Sequence, residues 1–367
     1  MRPRPVPLIR CTVALCLLSG SVALAGGPAL TDRSAAADQK VREAFQAAQD
    51  AFASGRIEEA DQLLRIVLRT SFDDPRAATM LRTLYTNYGL ELPVDESSLA
   101  LTRDQLGSLD RNFAQYQSRH FIVLSNAPRD WTNQRLALLE RTHFQFTRTM
   151  KLMGLEAIPS PRKMICVLFA EHADYEEIAR RTDRVEAPWV AGYYAAASNR
   201  IVMYDDATGP SFAEANRQIE RLQEQAAAVR RQARSVERSE MARAEEHARR
   251  VREHADRESA RIASLIRAAS DAKAVHEAAH LIAFNCGLQN RGRQYPFWLT
   301  EGLATNFETE DATGAFGPDR PLPARERDFA TRMQAGSLLA LAELLVLRDV
   351  EHLDGEAVGT AYAQSYA

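Results

Sequence analysis

The chain has 367 residues, with 46 lysines and arginines against 49 aspartates and glutamates, a formal net charge of −3. So slight an imbalance, with no basic patch interleaved with aromatics, argues against a nucleic-acid partner. The length accommodates a leader, a short helical region and a larger region that mixes helices and strands.

Positive charge at Arg2, Arg4 and Arg10, an apolar stretch from Cys11 to Ala25 and the small-x-small triplet Ala23-Leu24-Ala25 predict a secretory signal peptide over 1–25, cut before Gly26. The apolar run is short for a membrane span, and Cys16 lacks the small residue expected before a lipoprotein cysteine. The mature chain is therefore expected to be exported, to the periplasm or beyond, without a stable membrane span. Cleavage leaves Cys166 and Cys286, which read as buried small hydrophobes; one disulfide between them stays open.

Residues 38–92 read as helices. Val41, Phe45, Ala48 and Phe52 recur at helical spacing, Gly55 breaks the run, Ala60, Leu63, Leu64, Val67 and Leu68 begin another, and Asp74-Pro75 opens a third. The phase resembles one and a half tetratricopeptide-type repeats; since fewer than three seldom stand alone, a small module or helical cap packed on the rest is expected. Next come the strand His120 to Leu124, a helix from Asn133 to Met153, the strand Met164 to Phe169 and a helix from Ala173. A hairpin from Val190 to Tyr204 follows, with Gly192-Tyr193-Tyr194 on one strand and its turn at Ala197-Ser198-Asn199. This order is α+β, with a small mixed sheet. His120, His143 and His172 fall singly on these elements and read as structural or surface groups.

From Ser211 to Cys286 there is neither glycine nor proline, so 211–270 is read as a coiled-coil insertion, a long helix or a helical hairpin. Ile219, Leu222, Ala226, Val229, Ala233 and Val236 keep one a/d register, and Met241, Ala244, Ala248, Val251, Ala255, Ile262 and Leu265 keep another, offset by one residue. The slip between Glu237 and Glu240 is either a hairpin tip or an irregularity of the supercoil. An apolar stripe needs a partner, so the segment is expected to pair with itself, a second subunit or another protein. His247 and His254 read as solvated.

Two segments carry the chemistry. In Val275-His276-Glu277-Ala278-Ala279-His280-Leu281, helical geometry stacks His276 and His280 on one face, where both can bind one metal ion, and sets Glu277 beside them. Downstream, Trp298-Leu299-Thr300-Glu301-Gly302-Leu303-Ala304 offers Glu301 as the third ligand of a His2Glu set for a zinc ion, Zn2+. A helix from Leu338 to Leu347 follows. The chain stops five residues after Tyr362, in what reads as the opening turns of a further helix, so a truncated C-terminus is expected.

These two segments resemble those of the gluzincin metallopeptidases, and the second is similar to the WLxEGxA pattern of the M1 aminopeptidases. With Gly192-Tyr193-Tyr194 upstream, the closest likeness is to an uncharacterised family of exported bacterial gluzincin-like proteins, covering roughly Arg119 to the C-terminus without the insertion. The resemblance implies a catalytic domain over 115–367, interrupted by 211–270. It implies zinc ligands at His276, His280 and Glu301, Glu277 as general base, and Tyr362, within Tyr362-Ala363-Gln364-Ser365, as stabiliser of the oxyanion.

The expected function is zinc-dependent peptide-bond hydrolysis in the cell envelope, with a peptide or protein as substrate. Endopeptidase action is favoured, because no glutamate in the edge-strand region is placed to hold a substrate's amino terminus. The alternative is an envelope scaffold with a structural zinc and a coiled-coil arm that binds a protein partner.

Overall fold

The computed structural model describes residues 35–71, 74–155, 157, 160–185, 192–234, 240–350 and 352–367. The signal-peptide reading of 1–25 and the register slip at 237–240 therefore fall wholly or largely outside the described residues. No helix of the described residues is long and apolar enough to cross a membrane. The fold is α+β, as expected.

Three helices open it: α1 (Ala35–Ala53), α2 (Ile57–Thr70) and α3 (Pro75–Tyr88). They close on a core of their own that includes Ala48, Leu64, Leu68, Leu81 and Leu84. Gly55 and Gly89 end α1 and α3 in the left-handed region (φ 73° and 67°), where a residue without Cβ is unstrained. Asp74 caps α3 by accepting from the Arg76 and Ala77 amides.

After α4 (Glu96–Gly107) comes a five-stranded mixed sheet of β1 (Ala114–Gln117), β2 (Phe121–Ser125), β3 (Met164–Phe169), β4 (Gly192–Ala195) and β5 (Arg200–Tyr204), in the order β1-β2-β3-β5-β4. The three central strands are parallel, and β1 and β4 are antiparallel edges. Both faces are covered, which is why β2 and β3, and β5 after Arg200, read as apolar runs rather than alternations. Phe121, Val123, Cys166, Leu168, Ile201 and Met203 face a core shared with α5 (Arg129–Leu152) and α8 (Met241–Asn285). Their neighbours Ile122, Leu124, Ile165, Val167, Val202 and Tyr204 face α4 and α6 (His172–Ile178). Cys166 and Cys286 are both buried and unbridged.

The insertion folds back on itself. Helix α7 (Pro210–Ala233) packs along α8, a single helix of 45 residues that runs on into the histidine segment. Ala226, Ala233, Ala248, Ala255 and Ile262 form the buried seam between them, so the apolar stripe finds its partner within the chain. His247 and His254 are exposed.

Helix α5 begins at Arg129, four residues before the expected start, with Pro128 just ahead of its first turn. The expected helix from Leu338 to Leu347 shrinks to α11 (Leu341–Val346). Its first residues are instead held extended by Gln364, whose side chain accepts from the Leu339 amide at 2.7 Å and donates to the Leu339 carbonyl at 3.1 Å. Helix α10 (Pro323–Ala335) was not expected, although Pro323 at its start and Gly336 at its left-handed end are ordinary boundary signals. Helix α9 (Phe297–Thr305) carries Glu301, and α12 (Gly355–Tyr366) carries Tyr362 in its second half rather than its opening turns.

Candidate metal centre

The buried half of α8 presents His276 and His280 on one face, and α9 crosses in front of it with Glu301. Their ligand atoms converge: His276 Nε2 lies 3.1 Å from Glu301 Oε2 and 3.1 Å from His280 Nε2, and His280 Nε2 lies 3.4 Å from Glu301 Oε2. The three residues form a buried group that could hold a metal ion. All three ligands expected from the sequence are thus brought together.

Glycine decides how close α9 comes to α12. A Cβ on Gly302 would overlap the carbonyl oxygen of Ser365, a clash with backbone that no side-chain rotation relieves. The glycine next to Glu301 therefore sets the depth at which the third ligand sits. Thr305 Oγ1 donates to the Glu301 carbonyl at 2.6 Å, tying down the last turn of α9.

A second layer, unforeseen in the sequence, fixes the ring of His276. Its Nδ1 sits 2.9 Å from Glu308 Oε1, and Arg325 of α10 grips the same carboxylate with two hydrogen bonds, of 2.9 Å from Nε and 2.8 Å from a terminal nitrogen. A proton on Nδ1 shared with Glu308 leaves Nε2 free to bind a metal, and a bidentate arginine holds the carboxylate in plane. The chemical signal for Glu308 was present. A metal-binding histidine needs an acceptor on its other nitrogen, and Glu308 is the acidic residue just past α9. Arg325 has no such sequence signal.

Glu277, Glu301 and Glu308 are all buried; Arg325 pairs with Glu308, and His276 lies within ion-pair distance of both Glu301 and Glu308. Burial works against a charged His276, but hydrogen bonds to Glu301 and Glu308 outweigh it and push its pKa up to about 10. Burial likewise opposes ionisation of Glu301, yet His280 and His276 hold its pKa down at about 2.

Glu277 lies on the same helix, fully buried, and the edge strand β4 passes beside it. A Cβ on Gly192 would lie 3.0 Å from Met203 Cγ, 3.3 Å from the Val202 carbonyl and 3.6 Å from Glu277 Cγ, so glycine lets strand and helix approach closely here. All four β4 residues are buried. Tyr193 donates to Asp183 at 2.7 Å and Tyr194 to Asn199 at 2.9 Å, so both hydroxyls are engaged in the fold. One turn before Glu277, Lys273 pairs with Asp206 and sits 4.7 Å from the Tyr204 ring centroid. Burial pulls the Lys273 pKa down.

Tyr362 is buried on the His276 side of the cluster, with ring centroids 6.4 Å apart and an edge-to-face contact with Phe297 at 5.0 Å.

Fold and site together define an α+β protein with a buried two-histidine, one-glutamate group capable of holding a metal. The family described as protein of unknown function (DUF1570) matches residues 270–323, a stretch that holds both ligand segments and Glu308. No curated protein and no solved structure matches the chain.

Proposed function

We propose that this chain is an exported zinc peptidase of the gluzincin type, its N-terminal helices forming a tetratricopeptide-like cap. The observation that carries the reading is the spacing of the ligand atoms. Two ligands about 2.0–2.1 Å from one zinc at the tetrahedral angle lie about 3.3 Å apart, and the three separations here are 3.1, 3.1 and 3.4 Å. A His2Glu set is also a donor set of catalytic zinc, with one position left for water or substrate.

When bound, zinc supplies a Lewis acid and lowers the pKa of water to about 7. The chain's own groups supply the rest. Glu277 accepts a proton from the attacking water and delivers it to the departing amine. The Tyr362 hydroxyl donates to the oxyanion that develops on the carbonyl. Glu308 and Arg325 hold His276 in one orientation throughout. The β4 edge aligns an extended peptide through its main chain, and endopeptidase action fits the absence of a glutamate in β4 or β5 among the described residues.

The test is digestion of a peptide library followed by mass spectrometry. The Glu277→Gln protein is expected to keep its zinc and lose hydrolysis by about 10²–10⁴-fold. Tyr362→Phe is expected to keep zinc and lose about 10–10³-fold. One observation favours a second reading, in which zinc only stiffens an envelope scaffold whose arm binds a protein partner: His276, Glu277, His280 and Glu301 are 0%, 0%, 3% and 1% exposed. On that reading Glu277→Gln leaves every function unchanged and removal of the arm abolishes partner binding.

A further inference from the structure

On the sheet edge opposite β4, away from the metal centre, a cleft of about 1830 Å³ opens between the end of α3, the segment that follows it, the β1–β2 turn and the outer face of α5. Small-molecule sites run to about 300–1,000 Å³, so this space suits a length of polypeptide. Its lining departs from the acidic balance of the whole chain. Arg82, Arg119, Arg148, Lys151 and Lys163 line it, against the carboxylates of Glu91 and Glu140.

Glu140 is already engaged, accepting from the Ser118 hydroxyl at 2.5 Å, the His120 amide at 2.7 Å and the His120 ring at 2.7 Å. Among the described residues none of the five cations forms an ion pair. Arg82 and Lys163 donate instead to the neutral carbonyls of Ala157 and Ser118, at 3.4 Å and 2.7 Å. Beside them lie the apolar side chains of Phe144, Leu152 and Leu155, which are 60%, 68% and 44% exposed. Uncompensated cations next to open apolar surface match an acidic segment that also carries apolar side chains.

Other anionic partners fit less well. A bilayer surface does not enter a concave space walled on two sides. Single-stranded nucleic acid binds by stacking bases on open rings, and here Phe144 alone offers one. The Tyr85 hydroxyl is bound to Asp61 at 3.0 Å, and the rings of His120 and His143 are stacked on each other at 3.8 Å. We propose that this cleft is a docking site for an acidic, partly apolar polypeptide segment, with the N-terminal helices forming one wall. The site requires neither metal nor hydrolysis.

The experiment is fluorescence anisotropy of a labelled peptide alternating glutamate and leucine, titrated with the full mature chain carrying Glu277→Gln so that no probe is consumed. Saturable binding is expected, weakened by added salt and by about tenfold or more in the doubly substituted Arg148→Glu, Lys151→Glu protein. Both side chains are exposed, and circular dichroism verifies the fold. Phe144→Ser is expected to weaken binding, Arg257→Glu on the arm to leave it unchanged, and a lysine–leucine peptide not to bind. Failure of the acidic peptide to saturate, or equal binding by the doubly substituted protein, overturns the proposal. So does binding of anionic vesicles or single-stranded RNA that depends on Arg148 and Lys151 when the peptide does not bind.

Discussion

Helix α8 is one element with two halves that obey different physics. From Ala269 to Asn285 nearly every side chain is buried, and the polar ones belong to the metal cluster or its surroundings. From Met241 to about Arg267 the helix packs along α7 through an alanine-rich seam, and its outer face carries solvated pairs such as Arg252 with Asp256. In the first half a charge persists because fixed partners answer it. In the second, water answers most of it. One helical hydrogen-bond ladder joins the halves, but their sensitivities to change are expected to differ widely.

The largest expected effect is loss of the metal. His280→Ala or Glu301→Ala removes one of three ligands and is expected to abolish stoichiometric zinc, as read by metal analysis. Next comes metal removal itself. Chelation is expected to lower the melting temperature and to speed amide exchange in 269–285, leaving 241–267 unchanged, because a bound ligand stabilises the state that holds it. Equal deprotection of both halves in hydrogen-exchange mass spectrometry would show that the metal does not stabilise 269–285 selectively. Third, Glu308→Ala frees the far side of His276 and is expected to weaken zinc about 10–100-fold in a competition titration.

Smaller effects belong to the arm. Ala255→Asp puts an unanswered charge into the seam and is expected to cost about 2 kcal/mol of arm stability, with zinc content unchanged. Arg252→Ala removes an exposed pair with 3.6 Å separation and is expected to alter stability by less than about 0.5 kcal/mol in chemical denaturation.

What the sequence conveyed follows the same division. The i, i+4 histidines on an apolar helix can hardly point anywhere but one face, and the glutamate on the next helix completes a known donor set; the convergence of these three side chains was legible. The strands β2 and β3 were legible because double-sided burial makes them apolar runs, and β5 because it follows a turn in a hairpin. Arg325 was not, since its link to Glu308 depends on how α10 folds back over the site. The β1–β2 turn, the tail of α5 and the end of α3 are separated in sequence, so nothing local announces that they line one basic cleft. For the insertion, periodicity allowed a straight helix or a hairpin. The hairpin is what lets the alanine seam bury itself within one chain.

The most direct measurement is zinc per chain in the purified mature protein by inductively coupled plasma mass spectrometry, with His280→Ala and Glu301→Ala alongside. The account predicts about one zinc per chain, absent from both variants. A protein that purifies without zinc and takes up none when it is added would contradict it.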